Sequence, residues 1–235
     1  MTALEEILQR HRVWLGGAPS VSAIPAISTT YPDLDRQLPG GGWPTGALTE
    51  ILAGHRGCGE LQLVLPALAA LTWAGKRVAW IAPPYLPYAP ALAAAGIDLA
   101  QLAVVRAPGR RDALWAAEQV LRSGSCHALL AWFPRSNYDE LRRLAVAAEA
   151  SPAWVALFRP PEAAAGPSPA CLRIALEPEG DALSLRILKR RGAPAAAPLR
   201  LAVKRPVHAL GGSPLPAPAA GRVSDYRVLG LPVHA

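Results

Sequence analysis

Residues 54–61, GHRGCGEL, place glycines at the first and sixth positions of the phosphate-binding loop pattern GxxxxGK[ST]. That spacing lets backbone N–H groups curl around an anion, while the lysine and hydroxyl that follow reach the terminal phosphates and Mg²⁺. Here Glu60 stands at the lysine position and Leu61 at the hydroxyl position, behind Gly54 and Gly59. A carboxylate beside a triphosphate inverts the interaction: two like charges ~4 Å apart repel by roughly 4 kcal/mol at an effective dielectric of about 20. The segment therefore predicts the backbone of an anion nest without its chemistry. A second group is basic. Lys189, Arg190 and Arg191 are contiguous, Lys204 and Arg205 follow, and no acid lies between Asp181 and Asp225. Such a cluster is expected to face water or a negatively charged partner. Cys58, Cys126 and Cys171 are odd in number and widely spaced, which fits neither a disulfide framework nor a metal site and predicts buried, inert thiols. His127 is expected to open a strand rather than bind metal.

These residues need elements to hold them. Apolar, strand-like runs recur at 46–52, 77–83, 102–108, 127–133 and 154–158, and helical patterns lie between them. That alternation predicts an α/β fold, a mostly parallel sheet covered by helices on both faces. Gly75, Gly96 and Gly124 fall where each helix should end in a left-handed residue. Residues 159–169 read as a loop. The runs CLRIALEP, DALSLRILK and LRLAV then follow without helices, so an antiparallel hairpin extension is expected at the C-terminal edge. Of the seven tryptophans, Trp73, Trp80, Trp115 and Trp132 are expected in the core, whereas Trp43, in a Gly-Pro loop, is the exception.

At the N-terminus, Thr2 and Glu5 fit a capping box, and Leu4, Ile7 and Leu8 form an apolar stripe at helical spacing. The glycines and prolines that follow make this a tethered amphipathic helix, expected either to dock on another molecule or to fold back on its own core. Three regions result: 1–25 as helix and linker, 26–205 as the core domain, and 206–235 as a Pro/Gly/Ala-rich basic tail. The net charge of +7 is concentrated at that end, since residues 186–235 carry 9 basic side chains and only Asp225. No apolar run reaches the ~18 residues of a membrane span, and Glu5 and Glu6 stand where a secretory signal needs basic residues, so a cytoplasmic protein is expected.

The run ISTTYPDLDRQLPGGGWPTGALTEILAGHRGCGELQLVLPALAAL resembles the core of the bacterial recombinase RecA, and the likeness continues in order over about residues 27 to 203. It implies a RecA-like fold with a degenerate phosphate loop. Where that family has its catalytic glutamate this chain has Pro84, and where the metal-binding aspartate should end its strand it has Trp132. With Glu60 and Leu61, four losses leave nothing to stabilise phosphoryl transfer, so no enzyme activity, cofactor or metal is expected. LSLRILKRRGAPAAAPLRLAV resembles the RecA hairpin whose lysines point toward a neighbouring protomer's nucleotide.

Within this group the segments LPGGGWPTGALTE, LPYAPALAAAGIDL, DALWAAEQVLRSG, FRP and RILKRRG are similar to those of the ImuA family of translesion DNA synthesis-associated proteins. That resemblance implies a non-catalytic role in damage-induced (SOS) mutagenesis, through contacts with ImuB, an error-prone DnaE-type polymerase and RecA, with weak DNA contact or self-association. The alternative is SulA, a RecA-like cell-division inhibitor that binds FtsZ. The partner-binding residues expected are Leu4, Ile7, Leu8, Lys189, Arg190, Arg191, Lys204 and Arg205.

Overall fold

The computed structural model describes residues 25–54, 59–191 and 197–203. The chain enters through β1 (Ala26–Ile27), a short helix α1 (Pro32–Gln37) and β2 (Trp43–Pro44), β1 and β2 forming a small antiparallel ribbon. The main sheet uses β3 (Ala47–Ala53), β4 (Val78–Ile81), β5 (Leu102–Val105), β6 (Ala128–Trp132), β7 (Trp154–Arg159), β8 (Leu172–Glu179), β9 (Ala182–Lys189) and β10 (Leu199–Ala202). Its order is β10-β9-β8-β3-β7-β6-β4-β5. All pairings from β8 to β5 are parallel, and β8-β9 and β9-β10 are antiparallel. A mostly parallel sheet with an antiparallel edge is the architecture the alternation of runs predicts.

The helices α2 (Glu60–Trp73), α3 (Ala89–Ala94), α4 (Arg110–Arg122) and α5 (Tyr138–Glu149) follow β3, β4, β5 and β6. Two buried clusters lie on opposite faces of the sheet. One joins α2 and α3 to Ile51, Trp80, Leu130, Ala156 and the inner residues of β8 to β10. The other joins α4 and α5 to Leu48, Ile81, Leu129, Val155 and Leu157. The central strands are therefore buried on both sides, which is why they read as continuous apolar runs rather than alternating ones. Asn137 and Glu140 close a capping box at the start of α5. Gly75, Gly96 and Gly124 follow α2, α3 and α4 at φ +70°, +89° and +62°, the region where a Cβ is disfavoured.

Three sequence expectations are corrected, two about side chains and one about the backbone. Trp73 and Trp115 are exposed rather than core, because each sits on the outward side of its helix. Trp43 is fully buried: the β1–β2 ribbon tucks it onto Trp154, with ring centroids 5.0 Å apart and planes 10° from parallel. Residues 159–169 are not a plain loop, since Pro161–Ala165 make a 3-10 turn. Trp80 is in the core as expected, and Cys126 is buried. His127 immediately precedes β6, its N–H donating to the Arg77 carbonyl at 2.8 Å.

Candidate functional site

Ligands of open α/β sheets bind at the carboxyl ends of the strands, where neighbouring connections leave toward opposite faces. Here β4 leads to α3 on one face and its neighbour β6 leads to α5 on the other. The rim of the sheet above β3, β4, β6 and β7 is thus the place to look for chemistry.

Gly54 follows β3 and Gly59 precedes α2, while residues 55–58 of the expected phosphate loop lie outside the described residues. Gly59 has φ +104°, and a Cβ there would meet Leu183 Cδ2 at 2.9 Å. The β8–β9 hairpin therefore presses on the start of α2. Glu60 occupies the first turn of that helix, where its charge suits the helix dipole and occupies ground an incoming anion would use. Leu61 packs against the core.

Trp132 ends β6 stacked on Phe158, with centroids 4.8 Å apart and planes 17° from parallel, and tilted against Trp80 at 5.5 Å. Three aromatic rings thus occupy the ends of β4, β6 and β7. Pro84 lies in the exposed turn after β4, beside a pocket of about 60 Å³ lined by Pro83, Pro84, Tyr85, Leu86, Pro87 and Arg106. Pockets for nucleotide-sized molecules enclose ~300–1,000 Å³, so this one holds only water-sized groups. The turn starts at Ala82, a non-glycine residue at φ +50° directly before Pro83. That conformation is strained for a residue with a Cβ and is held by the Ala82 N–H bond to the Val105 carbonyl at 2.9 Å. Among the described residues no three His, Cys, Asp or Glu side chains form a group able to hold a metal ion.

The basic cluster divides. Lys189 Nζ donates to the Ser168 carbonyl at 2.9 Å, and Arg190 donates to the Gln37 carbonyl at the end of α1. Both thus have a use the sequence does not reveal, capping carbonyls of their own chain. Arg191 is exposed, at the end of the described run. Burial raises the Cys171 thiol's pKa, and Arg191 together with Lys189 offsets part of that rise. Lys204 and Arg205, like Leu4, Ile7 and Leu8, lie outside the described residues.

One constellation was invisible in the sequence. Glu50, in the middle of β3, is fully buried and its two oxygens accept from Arg159 Nη1 at 2.8 Å and Arg173 Nε at 2.7 Å. Arg159 also donates to the Ser136 carbonyl at 3.0 Å, and Arg173 to those of Ala163 and Gly166 at 2.6 and 3.2 Å. One carboxylate thereby fixes the loops after β6 and β7. The only hint was a charged residue in the apolar run ALTEILA.

No protein-family model matches the sequence, and no curated protein matches it. The crystal structure of SulA from Pseudomonas aeruginosa is similar to part of the fold, at 24% identity and a TM-score of 0.42, over 47% of this chain and 96% of that one. Among the described residues no helix is long and apolar enough to cross a membrane.

Proposed function

We propose that the chain is a RecA-like body with a degenerate phosphate loop that acts without catalysis, as a cytoplasmic accessory protein of damage-induced, error-prone DNA synthesis. Its work is to hold partners: ImuB, a DnaE-type polymerase and RecA. The observation that carries this reading is the aromatic rim. Phosphoryl transfer needs a cation on the phosphates, an acid for the metal and a group to orient the nucleophile. At the corresponding places stand Glu60, Trp132 stacked on Phe158, and Pro84. Exposed Tyr85, Leu86 and Tyr88 beside that rim are residue types suited to protein contact.

The test is a pull-down of the purified full chain against ImuB, the DnaE-type polymerase, RecA, FtsZ and single-stranded DNA at two salt concentrations. Capture of ImuB or RecA that persists at the higher salt is the expected result. Capture of FtsZ alone would replace this reading with that of a division inhibitor, and capture of DNA alone with that of a nucleic-acid binder.

A further inference from the structure

The two layers of helices differ in a way that the proposed function does not explain. On one face, α4 and α5 carry Arg110, Arg111, Asp112, Arg122, Asp139, Arg142 and Glu149 toward water. On the other face, α2 and α3 carry nothing comparable: from Leu61 to Gly75 and from Val78 to Ile97 no residue is charged. The inner side of α2 is accounted for by Leu63, Val64, Ala67, Leu68 and Thr72, all buried. Its outer side presents Gln62, Pro66, Ala70 and Trp73, and Trp73 is 76% exposed. A helix that is apolar on all sides belongs in an interior. The apolar surface continues onto α3, because a Cβ at Gly96 would sit 3.4 Å from Ala69 Cβ, and Ala93, Ala94 and Tyr88 are exposed beyond it. Contiguous uncovered apolar surface of this kind marks an interaction site.

The position of the chain's entry points to what covers it. The described residues begin at Pro25, whose carbonyl accepts from the Thr45 N–H at 2.9 Å. Ile27 and Tyr31 pack against the same cluster as α2, and the Tyr31 hydroxyl donates to the Gln62 carbonyl at 3.0 Å. The described chain therefore begins on the same side of the sheet as α2 and reaches the start of that helix at Tyr31. The stripe Leu4, Ile7 and Leu8 needs an apolar surface. Residues 17–24, fully extended, reach about 28 Å, and α2, with 14 residues, is about 21 Å long. The tether is long enough to lay the amphipathic segment along the whole helix.

We infer that the uncharged α2–α3 face is the seat of residues 1–16 of the same chain, with Leu4, Ile7 and Leu8 against Ala69, Ala70 and Trp73. This rests on the asymmetry of the two helix layers and stands independently of the proposed function.

Hydroxyl-radical footprinting of the full chain, read residue by residue by mass spectrometry, tests it. Trp73 and Trp115 are both tryptophans on outer helix faces, and Trp115 lies in the opposite layer, so it serves as an internal reference. Trp73 is expected to be protected relative to Trp115 in the wild-type chain at every protein concentration. In an Ile7→Asp/Leu8→Asp variant its labelling should rise several-fold while Trp115 is unchanged. A Gln9→Ala substitution, outside the stripe, should leave the protection in place. Free labelling of wild-type Trp73 overturns the inference. So does protection that disappears on dilution, which would assign the face to a second copy, or protection that develops only when ImuB or RecA is added, which would assign it to a partner. Should the double variant also expose Trp115, the chain has unfolded, and the decision passes to the wild-type dilution series.

Discussion

Arg173 Nε donates to Glu50 Oε2 at 2.7 Å across directly paired positions of β8 and β3, with both side chains buried. Arg159 takes the other oxygen, so a single negative charge serves two guanidinium groups. Removing it leaves two buried cations uncompensated. Glu50→Gln is expected to destabilise the fold by about 3–5 kcal/mol, measured by urea denaturation. Amide hydrogen exchange should quicken in 134–137 and 161–166, the two loops whose carbonyls the arginines hold. Equal protection in variant and wild type would show that these loops do not depend on the carboxylate.

Gly59 is left-handed, and a Cβ there would come within 2.9 Å of Leu183 Cδ2, so that buried side chain would have to shift. Gly59→Ala is expected to cost about 1–3 kcal/mol from backbone strain, with a steric addition from Leu183. In the double variant with Leu183→Ala the steric part should vanish, so the two losses should not add. Additive losses would indicate that only the dihedral angle matters.

Burial pushes the Cys126 thiol from the ordinary 9.0 up to about 11. Folding thus favours the neutral form, and this stabilisation is complete below pH 9 and lost as pH rises through 11. It amounts to about 2–3 kcal/mol. Urea midpoints between pH 8.5 and 11 should fall in the wild type and fall less in Cys126→Ala; parallel curves would assign the alkaline loss to other groups.

Cys171 sits under opposing influences: burial raises its pKa, while Arg191 and Lys189 lower it. Replacing both cations with glutamine should raise the thiol pKa further and slow its alkylation at pH 8. Peptide-resolved iodoacetamide labelling gives the rate. An unchanged rate would place access, not thiolate formation, in control.

With ATP and Mg²⁺ the full chain is expected to release no phosphate above a buffer blank. On the proposed reading Glu60→Lys/Leu61→Thr should not generate turnover, since Trp132 and Pro84 remain where the RecA resemblance expects an acid and a base. Turnover in the wild type, abolished by a bulky residue at Gly59, would refute the non-catalytic reading.

The strands and helices were legible because a two-sided parallel sheet writes its strands as uninterrupted apolar runs and because glycines mark the helix ends at Gly75, Gly96 and Gly124. The candidate site was legible only as positions. Glu60 and Trp132 could be placed, but not the stacking of Trp132 on Phe158, which arises from strand register. Glu50, Arg159 and Arg173 escaped notice for the same reason: the partners are 109 and 123 residues from the glutamate along the chain. Trp73 was misread because α2 has no charged side to set its apolar one apart. Trp43 was misread because a Gly-Pro segment signals a turn without telling whether an indole folds beneath it.

The Trp43–Trp154 pair, parallel within 10° and 5.0 Å apart, has an optical consequence. Two indoles stacked this closely couple their excitations, and a skew between their transition dipoles within the stacked planes gives the pair a circular dichroism couplet that neither ring gives alone. One ring belongs to the entry ribbon and the other to the first residue of β7. Trp80 and Trp132, 5.5 Å apart and tilted by 59°, couple separately within the sheet, so the part of the signal lost in Trp43→Phe is the part that reports the seating of the entry ribbon, and it goes when that ribbon lifts even if the sheet itself stays intact.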